Sequence, residues 1–245
     1  YSRKNYELCN KLRMTLFDKF LRIRELGIFS IIVVFVIVAA IIDPRFMTLD
    51  SWRAVFLAIP LILVMAMGQM MVIICRHVDI SIGSILAFSA IVIGLLYIQF
   101  PGLSLWLSLI ITAFVGLVMG LINGFIVTRF NVHSIIVTLG TLSLYRGLVF
   151  IVSGGRQIDR NDIPEHVVSF SQTSFLFSIP GILIFSAIIV VITHLVMRHS
   201  VLGREIYATG SNPVAAHLKG INVTKVTLFC FGICGMLAGC LLYTS

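Results

Sequence analysis

Long apolar runs separated by short polar or charged segments repeat along the whole chain. A hydrocarbon core of roughly 30 Å needs about 20 apolar residues per helical crossing. By this measure we predict seven spans, over residues 26–42, 54–75, 80–98, 103–128, 132–152, 181–197 and 226–243. No segment alternates apolar and polar residues over the length of a transmembrane barrel strand. The pattern therefore predicts an all-α fold, a polytopic transmembrane helical bundle.

The composition agrees with a membrane protein. Of the 245 residues, 59% are hydrophobic and only 11% are charged, whereas a soluble domain carries about 25% charged residues. The formal net charge of +8 suits either a nucleic-acid partner or a membrane. In a membrane protein an excess of Lys and Arg marks the cytoplasmic loops, so we predict contact with membrane lipid and no nucleic-acid partner.

The distribution of the positive residues predicts the orientation. With the N-terminus in the cytoplasm, thirteen Lys and Arg residues fall in cytoplasmic segments and four in outer loops, and positive residues are retained inside. We predict a cytoplasmic N-terminal segment over residues 1–25 and a transmembrane domain over 26–245, with a polar cytoplasmic segment over 198–225. The last span ends without a charged loop after it, and we interpret the bundle as C-terminally incomplete.

A short charged break separates the second and third predicted spans, in the stretch CRHVDISIGSILA over residues 75–87. One interpretation is a tight turn in which Asp79 or Ser81 caps the next helix. The other is a helix N-terminus that faces a hydrated cavity, because ionisable groups near membrane depth tend to line pathways. On the second interpretation, Asp79, Ser81 and Ser84 are candidate translocation-path residues.

The fourth and fifth predicted spans carry small and hydrogen-bonding residues between positions 121 and 150. Most of these residues are interpreted as sites of close helix approach, as small residues are in membrane bundles. Arg146 allows three roles, since it can snorkel to the outer interface, lock two helices together or face a polar substrate path. The further candidate translocation-path residues are Asn123, Thr138, Thr141, Tyr145 and Arg146.

A polar and basic stretch, GREIYATGSNPVAAHLKGINVTK, lies between the last two predicted spans over residues 203–225. Its pattern predicts amphipathic helix in which Gly203, Gly210 and Gly220 end short elements and Asn212 with Pro213 opens the next one. Such a helix can lie on the membrane surface. Alternatively, it fits a groove on a cytoplasmic partner, and its small residues suit close fit to a protein better than insertion into lipid.

The sequence lacks the residue patterns that ATP binding, metal binding and disulfide frameworks require. No Gly-rich loop ends in Gly-Lys-Ser or Gly-Lys-Thr, so ATP binding by that route is not predicted. The six His residues have no metal-ligand spacing, and the five Cys residues have neither a disulfide framework nor a zinc spacing. We therefore predict no catalytic residue, metal or cofactor. The long loop over residues 153–175 is interpreted either as a docking site for an extracytoplasmic partner or as a plain solvated loop.

Three motifs in order carry a resemblance to a known family. They are VDISIGS at residues 78–84, NGFIVTRFNVHSIIVTLGTLSLYRGLVFIVSGG at 123–155, and LGREIYATGSNPVAAHLKGINV at 202–223. With these motifs the chain resembles, over nearly its whole length, the permease subunits of bacterial ABC importers for simple sugars, of the ribose, rhamnose and autoinducer-2 type. The resemblance implies about ten helices in a complete member of that family, more than the seven predicted here.

The resemblance implies a set of partners and a location. It implies a permease of the bacterial inner membrane, paired with a second permease subunit as a homodimer or heterodimer, with two cytoplasmic ABC ATPase subunits and with an extracytoplasmic sugar-binding protein. ATP hydrolysis would then occur on the separate ATPase. The segment over residues 198–225 is similar to the part of the permease that engages the ATPase. Its implied contact residues are Gly203, Arg204, Tyr207, Ala208, Gly210, Asn212, Ala215, Ala216 and Gly220.

The motifs leave the substrate open between a rhamnose- or ribose-like sugar and autoinducer-2. Many family members have two glycines where this chain has Arg76 and His77, and the arginine resembles the autoinducer-2 permeases. The stretch VFIVSGGRQI, residues 149–158, resembles the rhamnose permeases. An ion-coupled secondary transporter is a second function class, but it needs intramembrane acidic groups, and only Asp79 lies near a span. A membrane-embedded enzyme would need a catalytic constellation that the sequence lacks.

Overall fold

The computed structural model describes residues 24–158, 164, 174–176 and 179–241. Helices dominate these residues, and their bounds are α1 Arg24–Ile42, α2 Leu49–Ile74, α3 Ile82–Gln99, α4 Leu105–Phe130, α5 Ser134–Ser153, α6 Gly181–His199, α7 Val201–Ser211, α8 Pro213–Leu218 and α9 Val223–Cys240. A 3-10 turn, Pro44–Met47, follows α1. Two very short antiparallel strands, β1 Ser174–Leu176 and β2 Ile179–Pro180, precede α6.

The seven predicted spans each correspond to one helix, namely α1 to α6 and α9. Five of these helices, α2, α3, α4, α5 and α9, are long and apolar enough to cross a membrane. The pair α6 and α7 makes a sixth crossing if it is counted as one span, but it bends by 71° at its break. The apolar part of α1, Gly27–Ile42, is shorter. The predicted all-α, polytopic helical bundle is confirmed.

The chain divides into two compact units, residues 1–55 and 56–245. In the first unit, α1 exposes most of its large apolar side chains, as expected of a helix that faces lipid or another protein. The turn after α1 is fixed by local hydrogen bonds. The Arg45 carbonyl accepts hydrogen bonds from the hydroxyls of Thr48 at 2.7 Å and Ser51 at 2.8 Å, and the backbone N–H of Arg45 donates to the Asp43 carboxylate at 2.9 Å.

In the second unit, α9 packs along α4 through closely apposed glycines. A Cβ atom on Gly116 or Gly120 of α4 would collide with the backbone carbonyl of Gly235 or Phe231, respectively, on α9. In the same way, a Cβ atom on Gly239 of α9 would collide with a carbonyl of α4. We call this contact the glycine seam. Small residues at intervals of four allow two backbones to approach closely in a membrane, where apolar side chains alone give no driving force for association.

The two short helices that follow α6 are capped separately, and the first of them, α7, bends away from α6 by 71°. The Ser200 hydroxyl accepts a hydrogen bond from the N–H of Gly203 at 3.0 Å and begins α7. The Asn212 side chain accepts from the N–H groups of Val214 and Ala215, both at 3.1 Å, and begins α8 with Pro213 in its first turn, a position that proline favours. The expectation for Asn212 and Pro213 is therefore confirmed.

The three glycines of this segment behave differently from one another. Gly220 follows α8 with a φ of +84°, in the left-handed region that glycine adopts easily, so its predicted role in ending an element is confirmed. The prediction that Gly203 and Gly210 also end elements is wrong, because both lie within α7. A Cβ atom at Gly203 would collide with the Met197 carbonyl, and one at Gly210 with the Ile74 carbonyl. Close backbone packing is what these two positions require.

Candidate functional site

A buried run of polar side chains links the turn between α2 and α3 to α4 and α5. The Asp79 carboxylate accepts a hydrogen bond from the Ser81 hydroxyl at 2.7 Å, and the same hydroxyl accepts from the amide N–H₂ of Asn123 at 2.7 Å. The Tyr145 hydroxyl lies 3.2 Å from the Asn123 amide oxygen and 3.0 Å from the Met119 carbonyl oxygen. We call Asp79, Ser81, Asn123 and Tyr145 the polar chain.

Every member of the polar chain is withdrawn from solvent, with at most 2% of its surface exposed. Buried polar groups are tolerated when they are hydrogen-bonded, and most polar atoms of these four side chains have a hydrogen-bond partner. The exception is the Asp79 Oδ2 atom, which has no hydrogen-bond partner among the described residues. Burial raises the pKa of Asp79, which lies in the turn outside both helices, while the hydrogen bonds from Ser81 act in the opposite direction.

The backbone on either side of Asp79 is held by two helices. From α5, the Ser134 hydroxyl accepts a hydrogen bond from the N–H of Val78 at 3.0 Å, and the Thr138 hydroxyl lies 3.4 Å from the Val78 carbonyl oxygen. From α2, the Gln69 amide, with its oxygen and nitrogen oriented to match, pairs with the N–H and carbonyl of Asp79 at 3.2 and 3.3 Å. The turn is therefore clasped by α2 and α5.

The structure brings seven of the eight candidate translocation-path residues to this region. Ser84 donates to the Ser81 carbonyl at 2.7 Å, and Thr138 and Thr141 are buried one turn apart on α5. Arg146 is exposed and lies outside the polar chain. The interpretation of Ser81 as a side-chain cap is wrong, because Ser81 precedes α3 without such a bond. The Asp79 carboxylate accepts from the backbone N–H of Ser81 at 2.9 Å and from its hydroxyl at 2.7 Å.

Sequence reasoning missed Gln69 and Ser134. Gln69 carried a usable signal, since it is the one amide side chain in the long apolar run of α2, and a polar group in such a run needs a partner. Ser134 carried none, because a serine at the start of a helix is ordinary. Two glycines of α5 are not sites of close helix approach within the described residues, since Gly140 and Gly147 have open space where a Cβ atom would lie.

The polar segment predicted as amphipathic helix forms α7 and α8, which bury one face against the rest of the protein and expose the other. Ile206, Thr209 and Ala216 are buried, whereas Tyr207 is 52% and Leu218 82% exposed. We call residues 201–218 the α7–α8 segment. Of the nine candidate contact residues, those exposed are Arg204, Tyr207, Asn212, Ala215 and Gly220, those partly exposed are Ala208 and Gly210, and those buried are Gly203 and Ala216.

An open groove of about 570 Å³ lies between α8 and the start of α9. Its wall is mostly apolar and includes Pro213, Val214, His217, Ile221 and Val223. Val214 is 70% exposed beside it. The groove and Val214 therefore leave apolar surface uncovered on this side of α8.

The inner face of α7 rests on the turn that carries the polar chain. Gly210 packs against the Ile74 carbonyl at the end of α2. The Arg76 guanidinium donates a hydrogen bond to the Ser211 carbonyl at 2.7 Å. Arg76 has a φ of +65°, a left-handed conformation that favours glycine.

Comparison with known proteins identifies the family. The family described as "Branched-chain amino acid transport system / permease component" matches residues 53–244. The autoinducer 2 import system permease protein LsrC of Yersinia enterocolitica is 33% identical over 198 residues, which cover 81% of this chain and 54% of that protein. LsrC of Yersinia pseudotuberculosis is 32% identical, with 81% of this chain and 55% of that protein covered. No solved structure matches the chain.

The match covers most of this chain, although the chain spans only about half the length of the curated relatives that it matches. Together with the apolar helices, the family match supports a multi-pass membrane protein. The chain therefore belongs to this family of transport-system permease components, and the resemblance to permeases of ABC importers predicted from its sequence is confirmed.

Proposed function

We propose that this chain is part of the permease subunit of an ABC importer that moves a simple sugar, rhamnose- or ribose-like, across the bacterial inner membrane. The observation that carries the proposal is the α7–α8 segment. It turns by 71° from the preceding apolar helix, has its own caps and exposes apolar side chains beside a groove. Such a surface is suited to contact with a separate motor subunit that binds and hydrolyses ATP.

The proposed orientation puts the N-terminus and the α7–α8 segment in the cytoplasm. Its support is the excess of Lys and Arg in the segments that would then lie inside, thirteen against four. On the same side would lie Arg76, in the turn between α2 and α3, and Arg129, at the end of α4. The loop between α5 and α6, most of which lies outside the described residues, would face the extracytoplasmic binding protein.

The proposed coupling mechanism requires the α7–α8 segment to differ in its contacts between two states of the transporter. A partner shifts a conformational equilibrium only through differential affinity for the two states. We infer that the ATPase holds the outer face through Tyr207, Ala215 and Leu218, and that ATP binding moves this face relative to the bundle. Many lateral apolar side chains of the bundle are exposed, and these would be covered by lipid and by the second permease subunit.

The polar chain is the proposed point at which the substrate path crosses the bundle. Neutral polyols are held by hydrogen bonds. The polar chain supplies carboxylate, hydroxyl and amide groups within one buried cluster. These groups are mostly bonded to one another, so a hydroxylated substrate would have to exchange internal bonds for its own. That exchange would couple passage of the substrate to rearrangement of α3, α4 and α5.

A specific observation favours a second substrate. The two Yersinia relatives are named as autoinducer 2 import permeases, and the resemblance implies glycine in many sugar permeases where this chain has Arg76. We therefore carry autoinducer-2 as an alternative substrate for the same path. The protein class and the mechanism are the same under both alternatives.

Uptake by the full-length protein tests the proposal. Cells that lack their own sugar and autoinducer-2 importers would express the protein with its ATPase and binding protein, and would be given labelled rhamnose, ribose or autoinducer-2 in turn. We expect accumulation of one probe, dependent on the ATPase, and its loss in Arg204→Glu with membrane insertion intact. Uptake that persists without the ATPase and collapses with a protonophore would instead indicate a secondary transporter.

A further inference from the structure

Arg76 occupies a conformation that its side chain does not favour. Its φ of +65° lies in the left-handed region, where a Cβ atom crowds the following carbonyl and glycine is the default. The conformation ends α2, since the N–H of Arg76 donates to the Ile73 carbonyl at 2.9 Å and the N–H of His77 to the Val72 carbonyl at 3.1 Å, a Schellman arrangement in which the left-handed residue is usually glycine. Arg76 is exposed, so burial of its side chain does not account for its presence at this position.

A hydrogen bond to a distant residue explains why an arginine occupies this position. Its guanidinium donates to the carbonyl of Ser211 at 2.7 Å, and Ser211 is the last residue of α7. The final carbonyls of a helix lack partners within the helix and carry partial negative charge, so a cation at that end is favourable and its hydrogen bond is charge-assisted. Arg76 therefore tethers the C-terminal end of α7 to the turn between α2 and α3.

Further close contacts surround the hydrogen bond between Arg76 and Ser211, so α7 has little freedom to move relative to the turn between α2 and α3. One residue before Ser211, Gly210 packs directly on the Ile74 carbonyl. Three residues after Arg76, Asp79 begins the polar chain, and the intervening backbone is clasped through Val78. A continuous series of close contacts thus runs from α7 through the turn to α4 and α5.

We propose that Arg76 is a positioning residue that makes the α7–α8 segment and the α2–α3 turn move as one body, so that displacement of the segment changes the geometry of Asp79 and the polar chain. The inference rests on the proposed function, since it takes the segment to be where the ATPase acts. It assigns to Arg76 the transmission of that movement and not contact with the substrate or the ATPase.

The test uses the full-length permease in liposomes with its ATPase, its binding protein and the probe that the wild type transports, chosen from labelled rhamnose, ribose and autoinducer-2. The variants are Arg76→Gly, Arg76→Lys and, as a matched loss of an exposed arginine, Arg129→Ala. Three quantities are measured: the ATPase that copurifies, the midpoint of thermal unfolding, and the phosphate released per molecule of probe transported.

Arg76→Gly separates positioning from folding, because glycine adopts the left-handed backbone without strain. We expect this variant to fold and to capture the ATPase as the wild type does, and to release about tenfold more phosphate per transported molecule, within the range typical of coupling between sites. Arg76→Lys should recover part of the loss, since an ammonium group can bond the carbonyl without the planar fork of arginine. Arg129→Ala should match the wild type.

A double variant tests whether Arg76 acts through the polar chain. If it does, adding Arg76→Gly to Asn123→Ala will raise the phosphate-to-probe ratio no further than Asn123→Ala alone, because interacting residues are not additive. Multiplicative effects would overturn the inference. An unchanged ratio in Arg76→Gly would overturn it too, whether or not the unfolding midpoint shifts. A wild-type protein that captures no ATPase would overturn the proposed function itself and the inference with it.

Discussion

The glycine seam and the α7–α8 segment are both built from small residues, yet they use them for different purposes. In the seam, glycines of α4 and α9 face one another, and backbone carbonyls occupy the space that side chains would need. In the segment, only the inner face is closed in this way, and Ala215 and Leu218 on the outer side are exposed. Small residues therefore have two roles in this protein. Where they are buried between helices they specify the fold, and where they are exposed they leave a surface that another protein can approach closely.

The two regions also differ in what supports them. The seam depends on close approach of two long helices, so each of its glycines depends on the opposite helix. The α7–α8 segment has local supports, with Ser200 and Asn212 capping its two helices. Stability and function should therefore separate. A change in the seam should unfold the protein, whereas a change on the outer face of the segment should leave it folded and disable it.

The largest effect on stability is expected for Gly235→Leu in the seam. Its side chain would collide with the Gly116 carbonyl, and the two backbones would have to separate. We expect a loss of about 3 kcal/mol or more in the free energy of unfolding, at the upper end of overpacking effects. Gly140→Leu is the matched control, because open space lies beside Gly140. Gel filtration of the detergent-solubilised proteins checks the prediction, and equal recovery of the two variants would contradict it.

A smaller loss is expected for Asn123→Leu in the polar chain. The substitution removes the donor to the Ser81 hydroxyl and one of the two acceptors near the Tyr145 hydroxyl, so each hydroxyl keeps one partner and loses the other. Loss of a partner by a buried polar group costs about 1–3 kcal/mol. Thermal unfolding in detergent measures the change. A midpoint equal to that of the wild type would show that these bonds do not hold the three helices together.

Tyr145→Phe should cost less, about 1 kcal/mol, because it removes one hydroxyl and leaves the packing of the ring unchanged. Tyr207→Phe provides the matched control, since Tyr207 is exposed on the α7–α8 segment. We expect the unfolding midpoint to fall for the first variant and to stay unchanged for the second. A larger fall in the midpoint for Tyr207→Phe than for Tyr145→Phe would mean that the Tyr145 hydroxyl stabilises the protein less than the exposed Tyr207 hydroxyl does.

The smallest effect on stability is expected for Ala215→Trp on the outer face of α8. Exposed substitutions usually change the free energy of unfolding by less than about 0.5 kcal/mol, but the indole would obstruct a closely fitting partner. We expect a normal unfolding midpoint and at least about a tenfold loss of ATPase capture, a change worth about 1.4 kcal/mol. Ala215→Ser should retain capture. Full capture by the tryptophan variant would remove this face from the proposed contact.

The helices could be predicted from the sequence because their cause is local. Apolar runs of sufficient length specify spans, and Asn212 followed by Pro213 supplies the cap and the first-turn proline that favour a helix start. The polar chain could be predicted only as a set of candidates, because the bonds from Asn123 to Ser81 and Tyr145 join residues 42 and 22 positions apart. The seam had a signal in the four-residue spacing of Gly116, Gly120 and Gly124, but its partner on α9 depends on tertiary packing.

The proposed coupling mechanism requires direct contact between the α7–α8 segment and a cytoplasmic ATPase. A photoreactive amino acid at Leu218, which is 82% exposed, can be compared with one at Ile151, which is 77% exposed at the end of α5, in the full-length protein expressed with its ATPase. We predict that illumination joins position 218, and not position 151, to the ATPase. Crosslinking of position 218 only to lipid or to an extracytoplasmic protein would contradict the account.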